Sequence, residues 1–218
     1  MQNKKCAVFD LDGTLINTIT DLGNACDYVI KKHGYSYRWS EDDYKHFVGN
    51  GMRKLVERAF DHSLDEEKLN EYLTEYKAYY NSIIFEHTAP YEGISEQLVK
   101  LKEKGVKLAV VTNKAQESAE ILLDRFFGKG FFDVITGQRD FVPTKPNPQC
   151  VFETLNILGC TGDEALYFGD SDVDMITARN AEIQAVGVTW GFRGYDELKA
   201  YKPYKIIDSP LQIYELFK

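Results

Sequence analysis

Residues 6 to 15 read Cys-Ala-Val-Phe-Asp-Leu-Asp-Gly-Thr-Leu, an apolar run ending in two carboxylates, Asp10 and Asp12. Like charges this close repel, so the pair asks for a cation beside it. By itself Asp-Gly is also an ordinary solvated turn. Three later stretches carry complementary groups. Thr112-Asn113-Lys114 follows the apolar Val110-Val111. It offers a hydroxyl and backbone N–H groups to an anion, although Thr-Asn also serves as a turn and N-cap pair. Lys145 stands among Pro143, Pro146 and Pro148, and the proline after it pushes its backbone toward extended conformations. Gly169-Asp170-Ser171-Asp172-Val173-Asp174 follows Tyr167-Phe168. Asp170 falls on the tip, and Asp174 lies four residues on, able to face the same way. Asp172 reads as an N-cap or a solvated acid, and capping alone is the rival reading for Asp174.

Together Asp10, Asp12, Asp170 and Asp174 bring up to four negative charges to one place. Two carboxylates ~4 Å apart repel by about 4 kcal/mol at an effective dielectric near 20. The donors are all oxygens, which implies a hard ion. Mg²⁺ held by a few carboxylates and completed by waters and a substrate phosphate fits best. The histidines (His33, His46, His62, His87) have no metal-ligand spacing, and the cysteines (Cys6, Cys26, Cys150, Cys160) show no CxxC pair. A disulfide framework is not expected at this size, and Cys6 and Cys26 read as small core residues.

These groups need a frame. The run at 6 to 9 lacks alternation, as in a parallel strand buried on both faces. In such sheets ligands bind beyond the carboxyl ends of the strands. Further strands are expected at 106 to 112, 132 to 136, 165 to 168, 185 to 189 and 206 to 208. Helices are expected at 116 to 127, 147 to 158, 172 to 181 and 211 to 217. Alternating strands and helices give right-handed crossovers, hence an α/β fold with helices on both faces of a parallel sheet. Residues 16 to 84 break the alternation with helical stripes only. These are 18 to 33 closed by Gly34, a start at Ser40 with Asp43 in a capping arrangement, 52 to 60, and 65 to 84 with Tyr72, Tyr76 and Tyr80 as packing residues. The expected division is a core domain of 1–15 and 85–218 with a helical domain of 16–84 inserted over the carboxyl edge of the sheet.

The 218 residues, 44% hydrophobic and 28% charged, suit a soluble globular protein with a sizeable core. A net charge of −8 argues against nucleic acid as the main partner. The start, Met-Gln-Asn-Lys-Lys, leads straight into a strand, and no apolar stretch reaches the length of a signal-peptide core or a membrane span. The expectation is a cytoplasmic protein, monomeric or homodimeric, with no membrane partner.

In order and at these strand ends, DLDGTL, VVTNK, TKPNP and GDSDVD resemble the haloacid-dehalogenase-like hydrolase superfamily, over the whole chain. The fold implied is Rossmann-like with an inserted cap domain. Gly49-Asn50-Gly51 leading to Leu55-Val56-Glu57-Arg58-Ala59, the Val111-Thr112-Asn113-Lys114 run and Gly187-Val188-Thr189-Trp190-Gly191 look like the phosphoglycolate phosphatases within it. The resemblance implies Asp10 as nucleophile, forming an aspartyl-phosphate, and Asp12 as general acid and base. It implies Thr112 and the Asn113 backbone as phosphate ligands, and Lys145 as the cation beside Asp10 and the phosphoryl group. It gives Mg²⁺ to Asp10, Asp170 and the backbone carbonyl of Asp12, with Asp174 acting through water. Asn50 and Arg53 are candidate substrate contacts, or else capping and solvated surface. Two departures, Asn17-Thr18 after the first motif and Ala181-Glu182 after the fourth, concern helix ends. The implied activity is a Mg²⁺-dependent phosphatase of a small phosphorylated metabolite, phosphoglycolate foremost. The rivals are a sugar phosphomutase, a pyrophosphatase, a nucleotidase and a non-enzymatic receiver-like phospho-acceptor. A dehalogenase is disfavoured because it has no need of the acid/base group at Asp12.

Overall fold

The computed structural model describes residues 4–218; Met1, Gln2 and Asn3, read as part of the lead into the first strand, lie outside the described residues. The chain begins with β1 (Cys6–Phe9), then β2 (Ile16–Asn17), and four helices follow: α1 (Ile19–Lys32), α2 (Glu41–Phe47), α3 (Met52–Ala59) and α4 (Glu66–Ile83). It returns through β3 (Ala89–Pro90), which pairs with β2. Then come α5 (Ile94–Glu103), β4 (Lys107–Ala115), α6 (Gln116–Phe127), β5 (Val134–Gln138), α7 (Gln149–Leu158), β6 (Ala165–Gly169) and α8 (Asp172–Asn180). β7 (Gln184–Val188), α9 (Tyr195–Ala200) and β8 (Lys205–Ile207) complete the series. Two compact units result, one of 1–16 and 90–218, the other of 17–89.

The first unit is an α/β structure around a six-stranded sheet of order β5-β4-β1-β6-β7-β8, with every pair parallel. β1 lies between β4 and β6 in a register that aligns Phe9 with Val110 and Phe168. Asp10 therefore leaves the sheet level with Gly169 and Val111, with Asp170 and Thr112 each one residue further on. All four β1 residues are buried, which explains the absence of alternation. Cys6, Val8, Ala109, Val111 and Tyr167 pack with Val151, Leu155, Met175 and Ala178 of α7 and α8. On the other face Phe9 stacks on Phe168, with centroids 4.8 Å apart, and Phe168 on Phe217. Each such phenylalanine contributes roughly 1.5–3 kcal/mol by burial.

Sequence periodicity passes over two helices here, the short α9 and α5, whose start at Ile94 follows Gly93 in a left-handed conformation. α7 begins at Gln149, two residues later than read, because Asn147 sits outside the helix and its Oδ1 accepts from the Gln149 N–H at 3.0 Å. The expected helix 211 to 217 is two short 3₁₀ turns, Pro210–Gln212 and Tyr214–Phe217. Cys6 is buried in the core, as its apolar surroundings predict, and its sulfur comes up against that of Cys160; Cys26 and Cys150 are buried elsewhere. Cys160 lies in the loop feeding β6, the neighbour of β1, so the two meet across adjacent strands. Their separation in sequence, 154 residues, hides this.

The second unit is helical. Tyr72, Tyr76 and Tyr80 of α4 are buried, as their helical spacing predicts. Ser40 and Asp43 form the capping box that starts α2, and Gly34 takes a φ of +74° just beyond α1. The buried Asp21 carboxylate accepts from the backbone N–H groups of His87 and Thr88 and from the Thr88 hydroxyl, tying the first turn of α1 to the segment that leaves the unit. Among the described residues no helix is long and apolar enough to cross a membrane.

Candidate active site

Beyond β1 the Asp10 N–H donates to the Phe168 carbonyl (2.9 Å), carrying the parallel pairing one residue past the strand. Its Oδ1 accepts from the Leu11 N–H at 2.7 Å. The chain then turns tightly: the N–H groups of Thr14, Leu15 and Ile16 all donate to the Leu11 carbonyl. Gly13 is required twice over. It takes a φ of +85°, and a Cβ there would fall 2.3 Å from Asp170 Oδ2.

Asp170 follows β6 and is fixed by two donors. The Thr14 hydroxyl donates to Oδ1 (2.9 Å) and the Phe192 N–H to Oδ2 (2.8 Å). The loop after β7 is pressed onto the same turn: Trp190 Nε1 donates to the Thr14 carbonyl (3.0 Å), and a Cβ on Gly191 would lie 2.2 Å from the Gly13 carbonyl oxygen. Asp174 has two jobs. Ser171, the true N-cap of α8, forms a capping box with it, so Asp172 is the first helical residue and not the cap. The other Asp174 oxygen, Oδ1, accepts from Lys145 Nζ at 2.7 Å. Capping and convergence on the site are both correct for this residue.

Lys145 is the centre of the charge arrangement. Its ammonium lies 2.9 Å from Asp10 Oδ1 as well, with the side chain 2% exposed. Tyr167 Oη stands 3.2 Å away. The Lys145 backbone is clasped by one side chain: its N–H donates to Asn113 Oδ1 (2.8 Å) and Asn113 Nδ2 donates to its carbonyl (3.1 Å). The bond to Pro146 is cis. Thr112 is buried, and its Oγ1 accepts from the Lys114 N–H. Asn50 and Arg53 lie in the helical unit, engaged by neighbours of that unit. Arg58 donates to Asn50 Oδ1 (2.7 Å), and Arg53 pairs with Glu66 and Asn70.

Burial pushes the Asp10 carboxyl up to about 7; the nearby Asp174 charge adds to this and Lys145 opposes it. Burial, Asp174 and Asp10 likewise hold Asp170 well above the carboxylate range. Burial by itself would draw the Lys145 ammonium down, but Asp10 and Asp174 prevail and hold it well above its ordinary value. Asp10, Asp170 and Asp174 each place one oxygen within 4.8 Å of the others. One lysine answers two of these carboxylates, while Asp170 is met by a hydroxyl and a backbone N–H. An all-oxygen, buried set with excess negative charge fits a hard divalent cation. The Asp12 carboxylate is engaged elsewhere, by Lys114. A second group, His33 with Glu71 and Glu75, lies in the helical unit, where Lys32 and His33 already sit on Glu75.

Residues 7–188 match the haloacid dehalogenase-like hydrolase family. The chain belongs to that family. It is 34% identical over 209 residues to a phosphoglycolate phosphatase of Aquifex aeolicus, covering 96% of this chain and 94% of the relative. It is 31% identical over 202 residues to the pyrophosphatase PpaX of Bacillus cereus, covering 93% and 91%. The crystal structure of a predicted phosphoglycolate phosphatase from Haemophilus somnus superposes with a TM-score of 0.93 at 28% identity, over 100% of both chains.

Three parts of the hydrolase site escape a reading of motifs. Thr14 reads as the end of a turn, yet its hydroxyl holds Asp170. Trp190 and Phe192 come from a loop about twenty residues further on, and their contacts form through the Trp190 indole and a backbone N–H. Gly191 carries a sequence signal, a glycine beside an aromatic after a strand, which marks a close backbone approach. Lys114 sits inside a motif already singled out, but nothing in its spacing points to Asp12, 102 residues earlier.

Proposed function

We propose that this hydrolase is a Mg²⁺-dependent phosphomonoesterase of small phosphorylated metabolites, phosphoglycolate foremost, working through an aspartyl-phosphate at Asp10. The observation that carries the reading is the Lys145 ammonium bridging Asp10 and Asp174 with Asp170 alongside. An anionic carboxylate can approach an anionic phosphate only where positive charge offsets their repulsion.

In the first step Asp10 attacks phosphorus and the bond to the leaving oxygen breaks, while Asp12 gives that oxygen its proton. In the second, water attacks the aspartyl-phosphate, Asp12 takes the water's proton, and phosphate departs. Lys145 offsets charge on Asp10 and on the transferring group throughout. The Thr112 hydroxyl and the Asn113 N–H receive the phosphate oxygens. Asp10, Asp170 and the Asp12 carbonyl would hold Mg²⁺, with Asp174 supporting it through water. When bound, the ion supplies positive charge to the equatorial phosphate oxygens.

A second substrate reading, pyrophosphate, is favoured by the likeness to PpaX. Phosphate release from phosphoglycolate, pyrophosphate, sugar phosphates and nucleoside monophosphates, with Mg²⁺ and with chelator, separates these. The expected result is Mg²⁺-dependent release, fastest from phosphoglycolate, with no isomerised sugar phosphate. Preferred hydrolysis of pyrophosphate moves the substrate to the second reading, and release from none of them overturns the phosphatase reading.

The metal itself can be tested by melting. The folded, metal-free protein holds the Asp10 proton up to about pH 7, whereas the unfolded chain releases it near its ordinary carboxyl value. The unfolded state therefore binds fewer protons through that window, and this group's contribution to stability falls as pH rises from about 4 to about 7. Mg²⁺ binds the deprotonated carboxylate, so its stabilisation should grow over the same window. At about a hundred times its Kd the ion adds about 2.7 kcal/mol, which is several degrees in Tm for a chain of this size. A Tm gain equal at about pH 5 and about pH 8, or no gain at either, would count against these carboxylates as the metal site.

A further inference from the structure

The strand β4 does not end where its pairing does. It runs in regular register with β5 from Ala109 to Val111, then resumes at Ala115 opposite Gln138. Between these matched pairs three residues of β4, Thr112, Asn113 and Lys114, face one of β5, Gly137, and the excess is a bulge. The bulge has its own support. The Gly137 N–H donates to Gln116 Oε1 (2.6 Å), and Gln116 Nε2 donates to the Ile135 carbonyl. A Cβ on Gly137 would lie 2.6 Å from the Gln116 backbone, so only glycine allows this approach. In a flat strand, consecutive side chains point to opposite faces. The three polar residues in the bulge are all buried, and a bulge of this kind re-aims side chains near a site.

Lys114 is the residue so aimed that has no role in the mechanism above. Its Nζ lies 3.0 Å from Asp12 Oδ1 and 3.3 Å from Oδ2, and its side chain is 3% exposed. Contact with both oxygens fixes the direction in which the Asp12 carboxylate points as well as its distance. Asp12 sits on the tight turn after Leu11, and its own strand does not reach that far. A lysine from the neighbouring strand holds its carboxylate.

We infer that Lys114 is a positioning residue that aims the Asp12 carboxylate for proton transfer to the leaving oxygen. This rests on the acid/base assignment of Asp12 made above. The inferred role differs from that of Lys145, which acts on the nucleophile. It also differs from phosphate binding, and the difference can be read from leaving groups. An alkoxide must be protonated as it departs, whereas p-nitrophenolate leaves unprotonated. kcat/KM reports on the path to the first irreversible step, the transfer to Asp10.

The test compares kcat/KM for an alkyl phosphate and for p-nitrophenyl phosphate in the wild type, K114M, D12N and the double variant. General acid catalysis is worth about 10²–10⁴, of which misaiming should forfeit part, so K114M should lose about thirtyfold on the alkyl ester. It should lose less than about threefold on the aryl ester, and add nothing further in the D12N background. Equal losses on both esters, multiplying with those of D12N, would place Lys114 on the phosphate and overturn the inference. A K114M enzyme with unchanged rates on both esters overturns it too. If D12N itself shows no leaving-group dependence, it is the assignment of Asp12 that fails. K114Q, which keeps an N–H donor, replaces K114M in every comparison should circular dichroism show K114M to be poorly folded.

Discussion

Asp10→Asn should leave the hydrolase folded and without measurable turnover. Asparagine matches the shape of aspartate, and its amide oxygen can still accept from the Leu11 N–H that Asp10 now binds at 2.7 Å. The substitution also removes a carboxyl that burial and Asp174 together push up to about 7. Lys145 keeps a partner in Asp174 at 2.7 Å. The metal-free variant should therefore melt at or above the wild-type temperature near neutral pH. Its activity has no such reserve, because an amide is a poor nucleophile toward phosphorus and forms no aspartyl-phosphate. Loss of at least about ten-thousandfold in kcat is expected, on the scale seen when a covalent nucleophile is removed. Phosphate release and acid-quenched labelling with a ³²P-labelled phosphate ester measure the two sides. Retained labelling, or turnover within about a hundredfold of wild type, would move the nucleophile elsewhere.

Much of this was legible in sequence because a buried parallel strand and the group at its tip are written consecutively. Phe9 then Asp10, Val111 then Thr112 and Phe168 then Asp170 each put an apolar run and a polar terminus in one window. The sheet follows from the same runs. What stayed hidden depends on which distant segments touch. Asn113 reads as a turn residue, and only the fold shows it clasping the Lys145 backbone on both sides. The hold of Phe192 on Asp170 comes through a backbone N–H, which no side-chain pattern records. The β4 bulge depends on Gly137 and Gln116 meeting across β5. The six-residue α9 is passed over for a different reason, an apolar stripe too brief to stand out from the loops beside it, whereas α5 carries a full stripe of Ile94, Leu98 and Leu101 and matches α7 in length. Residues 17–89 show the same split. The tyrosine stripe of α4 announces its buried face, while the Asp21 clasp on Thr88 joins segments 67 residues apart.

Lys145→Met tests how far the site is held together by its own charges. The ammonium lies 2.9 Å from Asp10 and 2.7 Å from Asp174, with almost no solvent around it. Methionine fills most of the volume, so packing changes little, and the loss falls on the charges. Breaking a buried ion pair from one side costs about 3–5 kcal/mol, because the carboxylates left behind are neither solvated nor paired. In a chain of this length that corresponds to a Tm lower by roughly 10 °C, together with loss of turnover as large as for Asp10→Asn. The two effects separate in the double variant. Replacing Asp10 by Asn in the Lys145→Met background removes one of the two stranded charges, so the double variant should melt above Lys145→Met alone, a coupling of about 1–3 kcal/mol. Protonation does the same work as that substitution: without Lys145 the Asp10 carboxyl rises above its value of about 7, so the Lys145→Met deficit should shrink as pH falls toward about 7 from the alkaline side. A deficit that is independent of pH and unrelieved by Asp10→Asn would mean that Lys145 stabilises through packing. In that case the bridge between Asp10 and Asp174 could not be what makes an anionic nucleophile tolerable beside an anionic substrate.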